Sequence, residues 1–260
     1  MTSTPFPAAA LPPFYGAPTL LRFPEHRTLG LRPSRSFRFA AGAAAIPLTA
    51  GEFAVAGRHY PIVFASDAGA MPLAVTGLAA GRNLFVTAEG GWSPGRYVPA
   101  YLRRYPFIGI AVENGGPSML GIDGTSDLIS LDAAEDEADP LFDETGGPTE
   151  SARAAMAFCD EFARDHAATQ TFAAALVEHG LLAEKAAQVR LADTGAADAS
   201  QLRVEGFRTV DETAFRALPA AVVNEFHDRG WLDLVVLHLA SQLSWQVLLD
   251  AAAQPAAGVA

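Results

Sequence analysis

Arg96, Tyr97, Tyr101, Arg103 and Arg104, with Trp92 just ahead of them, carry the densest recognition chemistry in the chain. They lie in Gly91–Phe107, where seventeen residues hold five aromatics, three arginines and three prolines. A guanidinium offers a rigid fork of donors to a carboxylate or phosphate and also stacks on rings. The block therefore suits recognition of an anion, a planar group or a partner surface through Trp92, Arg96, Tyr97, Tyr101, Arg103 and Arg104. A structural reading stands beside it: Pro99 opens a short helix, and Arg103 and Arg104 offset the negative end of its dipole.

Groups able to move protons are few. His238 sits in an apolar helical stretch whose polar residues, Ser241, Gln242 and Trp245, share its face, and the spacing lets His238 and Gln242 touch. It reads as a satisfied buried histidine or, alternatively, as a general base. Asp123 is the other candidate. His26, His59, His166, His179 and His227 show no metal-ligand spacing, and the single Cys159 lies in a helical pattern without a base beside it, as a buried structural thiol would. Ser66-Asp67 and Ser241 sit in no nucleophile elbow, and Gly115-Gly116-Pro117 lacks the lysine of a phosphate loop. No metal and no cofactor are expected.

Several classes of partner are unfavourable on charge and composition. The 260 residues are half hydrophobic, and 18% are charged against about 25% in an average domain. The net charge of -11 repels phosphate backbones, so nucleic acid is not an expected partner. Residues 1–13 lack the basic region and unbroken apolar core of a signal peptide, and no window of about 18 apolar residues escapes charge or proline. The expectation is a cytoplasmic protein with no membrane span.

The elements that must position the candidate residues change character along the chain. Residues 1–35, rich in proline, read as an extended lead-in. From 36 to 131, short apolar runs at Ala43–Leu48, Tyr60–Phe64, Leu73–Thr76, Asn83–Thr87, Phe107–Val112 and Met119–Ile122 read as strands between tight turns. Residues 132–147 hold seven acids and no base, without the alternation of an EF-hand, and read as an acidic loop pinned by Leu141-Phe142. Residues 148–252 are mainly helical, with a stop at His179-Gly180 and a small strand pair at Val189–Leu191 and Leu202–Phe207 whose turn chemistry comes from Thr194-Gly195 and Asp198. Asp211 reads as an N-cap and Pro219 as a helix opener. After Gly230 a helix over Trp231–Ala252 carries an apolar stripe of Leu232, Val235, Val236, Leu239, Leu243 and Val247. Residues 253–260 form a tail. The fold class is α+β, with a strand-rich N-terminal half packed on a helical C-terminal half.

Read in order, Tyr60-Pro61-Ile62-Val63-Phe64, Gly81-Arg82-Asn83-Leu84-Phe85-Val86, Gly91-Trp92 and Arg96 through Phe107 resemble the bacterial SapC family, named for an S-layer locus. The likeness continues through Ile122-Asp123, Leu141-Phe142, Gly206-Phe207, Gly230-Trp231-Leu232 and His238-Leu239-Ala240-Ser241, and spans about residues 36–250. A permease component of a peptide-uptake system shares the name, but it would need membrane helices that this sequence does not offer. The resemblance implies no agreed catalytic residues. It implies an accessory protein linked to surface-layer or envelope function, recognising a protein or peptide partner. The competing reading is an enzyme or sensor that holds a small anionic ligand through Arg103 and Arg104, with His238 or Asp123 handling protons.

Overall fold

The computed structural model describes residues 11–34, 36–111, 118–190 and 201–253. The turn residues Thr194, Gly195 and Asp198 and the run Gly115-Gly116-Pro117 lie outside them. In chain order the described elements begin with strands β1 (Pro18–Leu20), β2 (Gly30–Leu31) and β3 (Ala45–Pro47) and the single turn α1 (Phe53–Ala56). Strands β4 (Ile62–Ala65) and β5 (Pro72–Val75) precede α2 (Ala100–Arg104). Then come β6 (Phe107–Ala111), β7 (Ser118–Asp123), β8 (Ile129–Ser130) and β9 (Asp139–Pro140). The long helix α3 (Glu150–Glu178) is followed by β10 (Leu182–Arg190) and β11 (Gln201–Val210), and the chain closes with α4 (Glu212–Arg216), α5 (Ala220–Asp228), α6 (Trp231–Ser241) and α7 (Trp245–Ala253).

The chain divides into two compact units that interleave along the sequence. One unites residues 1–35 with 104–160, the other 36–103 with 161–260. In the first unit, β1, β7 and β6 form an antiparallel sheet and β8, β2 and β9 a second. The proline-rich segment thus supplies two strands, and the acidic segment supplies β9, with Leu141 fully buried and Phe142 tilted on Phe23 as its pin. Leu21, Leu29, Phe107, Leu120, Ile122, Ile129, Leu141 and Cys159 make the core of this unit.

The second unit holds a five-stranded antiparallel sheet in the order β10-β11-β4-β5-β3. Period-two alternation turns Ile46, Ile62, Phe64 and Ala74 to one face. Ile62, Phe64 and Ala74 of that face build a core with Phe53, Phe172, Phe226, Trp231, Val235 and Leu248, so first-half strands pack on second-half helices within this unit and the class is α+β. Helix α3 stops as its sequence dictates. Gly180 adopts φ +63, its N–H donates to the Val177 carbonyl, and the Leu181 N–H donates to that of Leu176 while both leucines bury fully. Asp211 caps α4 by accepting from the N–H groups of Thr213 and Ala214, and Pro219 precedes α5.

Three local expectations need correction. Asn83–Thr87 contributes an isolated bridge, Val86 to Trp92, and no strand, because Asn83 folds the chain into a turn by bonding the Ala40 carbonyl and the Phe85 N–H. The strand pair interrupting the helices is a longer hairpin than the sequence suggests, running from Leu182 to Val210. The helix after Gly230 is broken by a 3-10 turn at Gln242–Ser244, and its inward face is Trp231, Val235, His238, Ser241, Ser244 and Leu248. Val236 and Leu243 of the expected stripe stand 57% and 83% exposed. The whole run 231–253 is apolar enough, by length and composition alone, to cross a membrane.

The polar residues turn inward because the sheet needs them. Strands β11 and β4 pair only at Phe207–Ala65 and Arg208–Phe64. Past that point the ladder opens, and side chains of α6 replace it. The Ile62 N–H donates to Ser241 Oγ at 3.0 Å, Gln242 Nε2 donates to the Ile62 carbonyl at 2.8 Å, and the Val210 N–H donates to His238 Nε2 at 3.0 Å.

Candidate partner-recognition site

The block Trp92–Arg103 is organised around a residue the sequence reading passed over. Glu52 is 6% exposed, yet both its carboxylate oxygens are engaged. Oε2 accepts from the N–H and the hydroxyl of Thr49 at 2.8 and 3.0 Å, a capping box for the turn it opens. Oε1 accepts from the Tyr97 hydroxyl at 3.0 Å and from the Ala100 N–H, the first of α2, at 2.7 Å. One carboxylate therefore caps its own turn and a distant helix. The pattern Thr49-x-x-Glu52 ahead of Phe53 was the available signal.

Tyr97 is the next link. Burial, and then the Glu52 charge, push its hydroxyl up to about 12, so it stays protonated and donates. Arg103 covers it from outside: Nε donates to the Val98 carbonyl at 3.1 Å, a terminal nitrogen to the Tyr97 hydroxyl at 3.2 Å, and the guanidinium carbon lies 5.7 Å from the ring centre. Arg103 is exposed. The chain Arg103–Tyr97–Glu52 runs from solvent to a buried charge.

Beneath it the aromatics form a floor. Trp92 Nε1 donates to the Tyr60 hydroxyl and to the Tyr97 carbonyl, at 3.0 and 3.1 Å, and the Tyr60 hydroxyl donates to that same carbonyl at 2.5 Å. Tyr60 is fully buried, edge-on to Phe85 at 4.9 Å, and Phe85 stacks on Trp92. Tyr101 is buried too, with its ring edge-on to Phe162. Arg96, half-buried, belongs to a basic cluster: burial first, then the charges of Arg96 and Arg58, lower the pKa of His59. Arg58 and Arg96 thus lie near His59, while Arg103 lies over Tyr97.

His238 has no exposed surface and lies 4.9 Å from the Phe64 ring centre. Burial pushes its pKa down to about 4 against the opposing effect of the Ile62 carbonyl, so the ring is neutral, with Nε2 accepting from Val210. Of the groups in its helix, Gln242 meets the His238 carbonyl rather than its ring.

Asp123 and Arg104 belong to the first unit. The Asp123 carboxylate, wholly buried, accepts from the N–H groups of Gly16, Ala17 and Thr125 and from the hydroxyls of Thr125 and Tyr105, at 2.8–3.1 Å. Burial opposes its ionisation, but these bonds outweigh it and hold the pKa below the usual carboxylate value. Arg104, adjacent to Arg103 in sequence, lies over Tyr15, 5.6 Å from the ring centre. Cys159 is buried, and burial raises its thiol to about 11. Among the described residues no group of three or more His, Cys, Asp or Glu side chains is placed to hold a metal ion.

Comparison with curated proteins and with solved structures returned no match to either. The family model SapC matches residues 21–248, which takes in the candidate block, most of each unit and the helix bearing His238. The chain belongs to the SapC family.

Proposed function

We propose that this protein is a non-catalytic accessory of surface-layer or envelope function, acting in the cytoplasm, that recognises an acidic segment of a protein or peptide partner through Arg58, Arg96 and Arg103. The observation that carries the reading is the exposed Arg103 guanidinium held over Tyr97, whose hydroxyl is anchored by buried Glu52. A guanidinium already oriented loses less freedom when it meets a carboxylate. In a chain of net charge -11, Arg96 and Arg103 on one block, with Arg58 near His59, gather positive charge against the overall balance. Within a Debye length of about 8 Å such charges act on a partner largely unscreened. Trp92, Tyr97 and Tyr101 contribute the rigid floor, and Trp92 and Tyr97 remain partly exposed. Supporting the non-catalytic side, His238 and Asp123 are committed to backbone donors in the interior.

The test is capture from lysate of the native host by wild-type protein and by the Arg96→Glu/Arg103→Glu variant, with melting curves establishing that both are folded. The expected result is retention of an envelope-linked protein by wild type, released at raised salt and absent from the variant. Equal retention by the variant, or co-purification of only a small metabolite, would overturn the reading.

A further inference from the structure

The usual polarity of a surface helix is inverted in the α6–α7 run. His238, Ser241 and Ser244 are buried, whereas Val236 and Leu243 stand exposed and Leu232, Leu239 and Val247 partly so. A core helix this apolar should be mostly buried, yet only 28% of its most apolar stretch is. The backbone stays right-handed helical through the 3-10 turn, so these side chains line one outward stripe along residues 231–253. A continuous apolar stripe of this kind marks an interaction surface.

The stripe reads the same from either end. About a midpoint between Leu239 and Ala240, Leu232 matches Val247, Asp233 matches Gln246, and Val236 matches Leu243. Two copies laid antiparallel therefore set apolar residue against apolar residue and each Asp233 carboxylate against a Gln246 amide. Gln246 donates to Asp250 of its own helix and keeps a second N–H for that contact. At the centre Ala240, small and exposed, leaves room for Leu239 of the second copy. A two-fold contact requires such self-complementarity.

Charge favours the same arrangement. The two ends of the run differ in sign: Arg229, about half exposed beside its own Glu225, precedes it, and exposed Asp250 lies in its last turns. Antiparallel register brings each copy's Arg229 towards the other's Asp250 and opposes the helix dipoles. It also holds the two Asp233 side chains about 20 Å apart along the axis, where a parallel pair would set each against itself. A lipid surface fits less well, because residues 231–253 hold no Lys or Arg and expose Asp233 and Asp250, the wrong sign for anionic headgroups.

We infer that two copies of this chain associate through a two-fold, antiparallel pairing of α6–α7 centred between Leu239 and Ala240. The contact does not depend on the role of the arginine block. One helix pair lies near the low end of specific interfaces, about 1,200 Å², so a dissociation constant on the order of 10 μM is expected.

The test is sedimentation velocity of the full chain from about 1 to 200 μM, with melting curves for every variant. Wild type is expected to pass from 27.3 kDa towards twice that mass as concentration rises. Leu243→Glu, at a position 83% exposed where folding is not at risk, should weaken association by about tenfold or more. Leu131→Glu, equally exposed but off the stripe, should leave it unchanged. Arg229→Asp and Asp250→Arg should each weaken the dimer severalfold, and the two together should restore it. A wild type monomeric throughout, a dimer that survives in folded Leu243→Glu or is lost in folded Leu131→Glu, or no recovery in the folded charge swap would overturn the inference. So would a monomer that instead floats with phosphatidylcholine vesicles, which would give the stripe to a membrane.

Discussion

At the scale of single residues, the side chains that look most capable of chemistry are those the interior has claimed. His238 accepts the Val210 N–H where the β4–β11 ladder has parted, and its neutral form is the one the fold binds. Its pKa falls from 6.5 to about 4. Between those values the unfolded chain takes up a proton that the folded chain refuses, so stability declines as pH falls through this window. The penalty is absent above 6.5 and reaches about 3 kcal/mol below 4. A His238→Leu variant should lose this contribution to the acid limb, while being less stable near neutrality by about 1–3 kcal/mol because the Val210 N–H is left without an acceptor. Urea midpoints across pH check both halves, and an unchanged acid limb would contradict them. Glu52 shows the converse: a residue with no catalytic look about it, whose carboxylate determines where Tyr97, α2 and hence Arg103 stand.

At the scale of elements, caps and stops follow local rules. Replacing Asp211 by alanine should cost about 1 kcal/mol, since two N–H groups of α4 lose their acceptor, and a chemical-denaturation midpoint reads it directly. Such signals were legible in the sequence: Gly180 as a helix stop, Asp211 as a cap, Pro219 as an opener, and strands at 45–47, 62–65, 72–75, 107–111 and 118–123. The inward face of α6 was not. Leu239 and Val236 outrank His238 and Ser241 in hydrophobicity, so the periodicity favours a stripe that places Leu243 inside. What decides the rotation is non-local: Ile62 and Val210, far off in sequence, present backbone groups that His238, Ser241 and Gln242 satisfy. Asn83–Thr87 failed similarly, its apolar run being bent by one side-chain turn. The candidate block was legible as a composition, yet which members face solvent was not, because Tyr101 meets Phe162 across a long sequence separation.

At the scale of the whole molecule, neither sequence half is a structural unit. Residues 1–35 join 104–160, and 36–103 join 161–260, an interleaving that composition along the chain cannot reveal because apolar strands look alike whichever sheet they enter. The family match over residues 21–248 spans both units, so whatever the family does rests on a chain that crosses between them more than once. Within the second unit, the acidic chain places Arg58 and Arg96 near His59 and Arg103 over the anchored Tyr97. The most direct test of that arrangement is photo-crosslinking in the native host, with p-benzoylphenylalanine in place of exposed Pro94, beside Arg96. The account predicts a discrete protein adduct from position 94 that disappears when Arg103→Glu is added to a protein still folded. No protein adduct at that position, or one indifferent to the charge reversal, would contradict it.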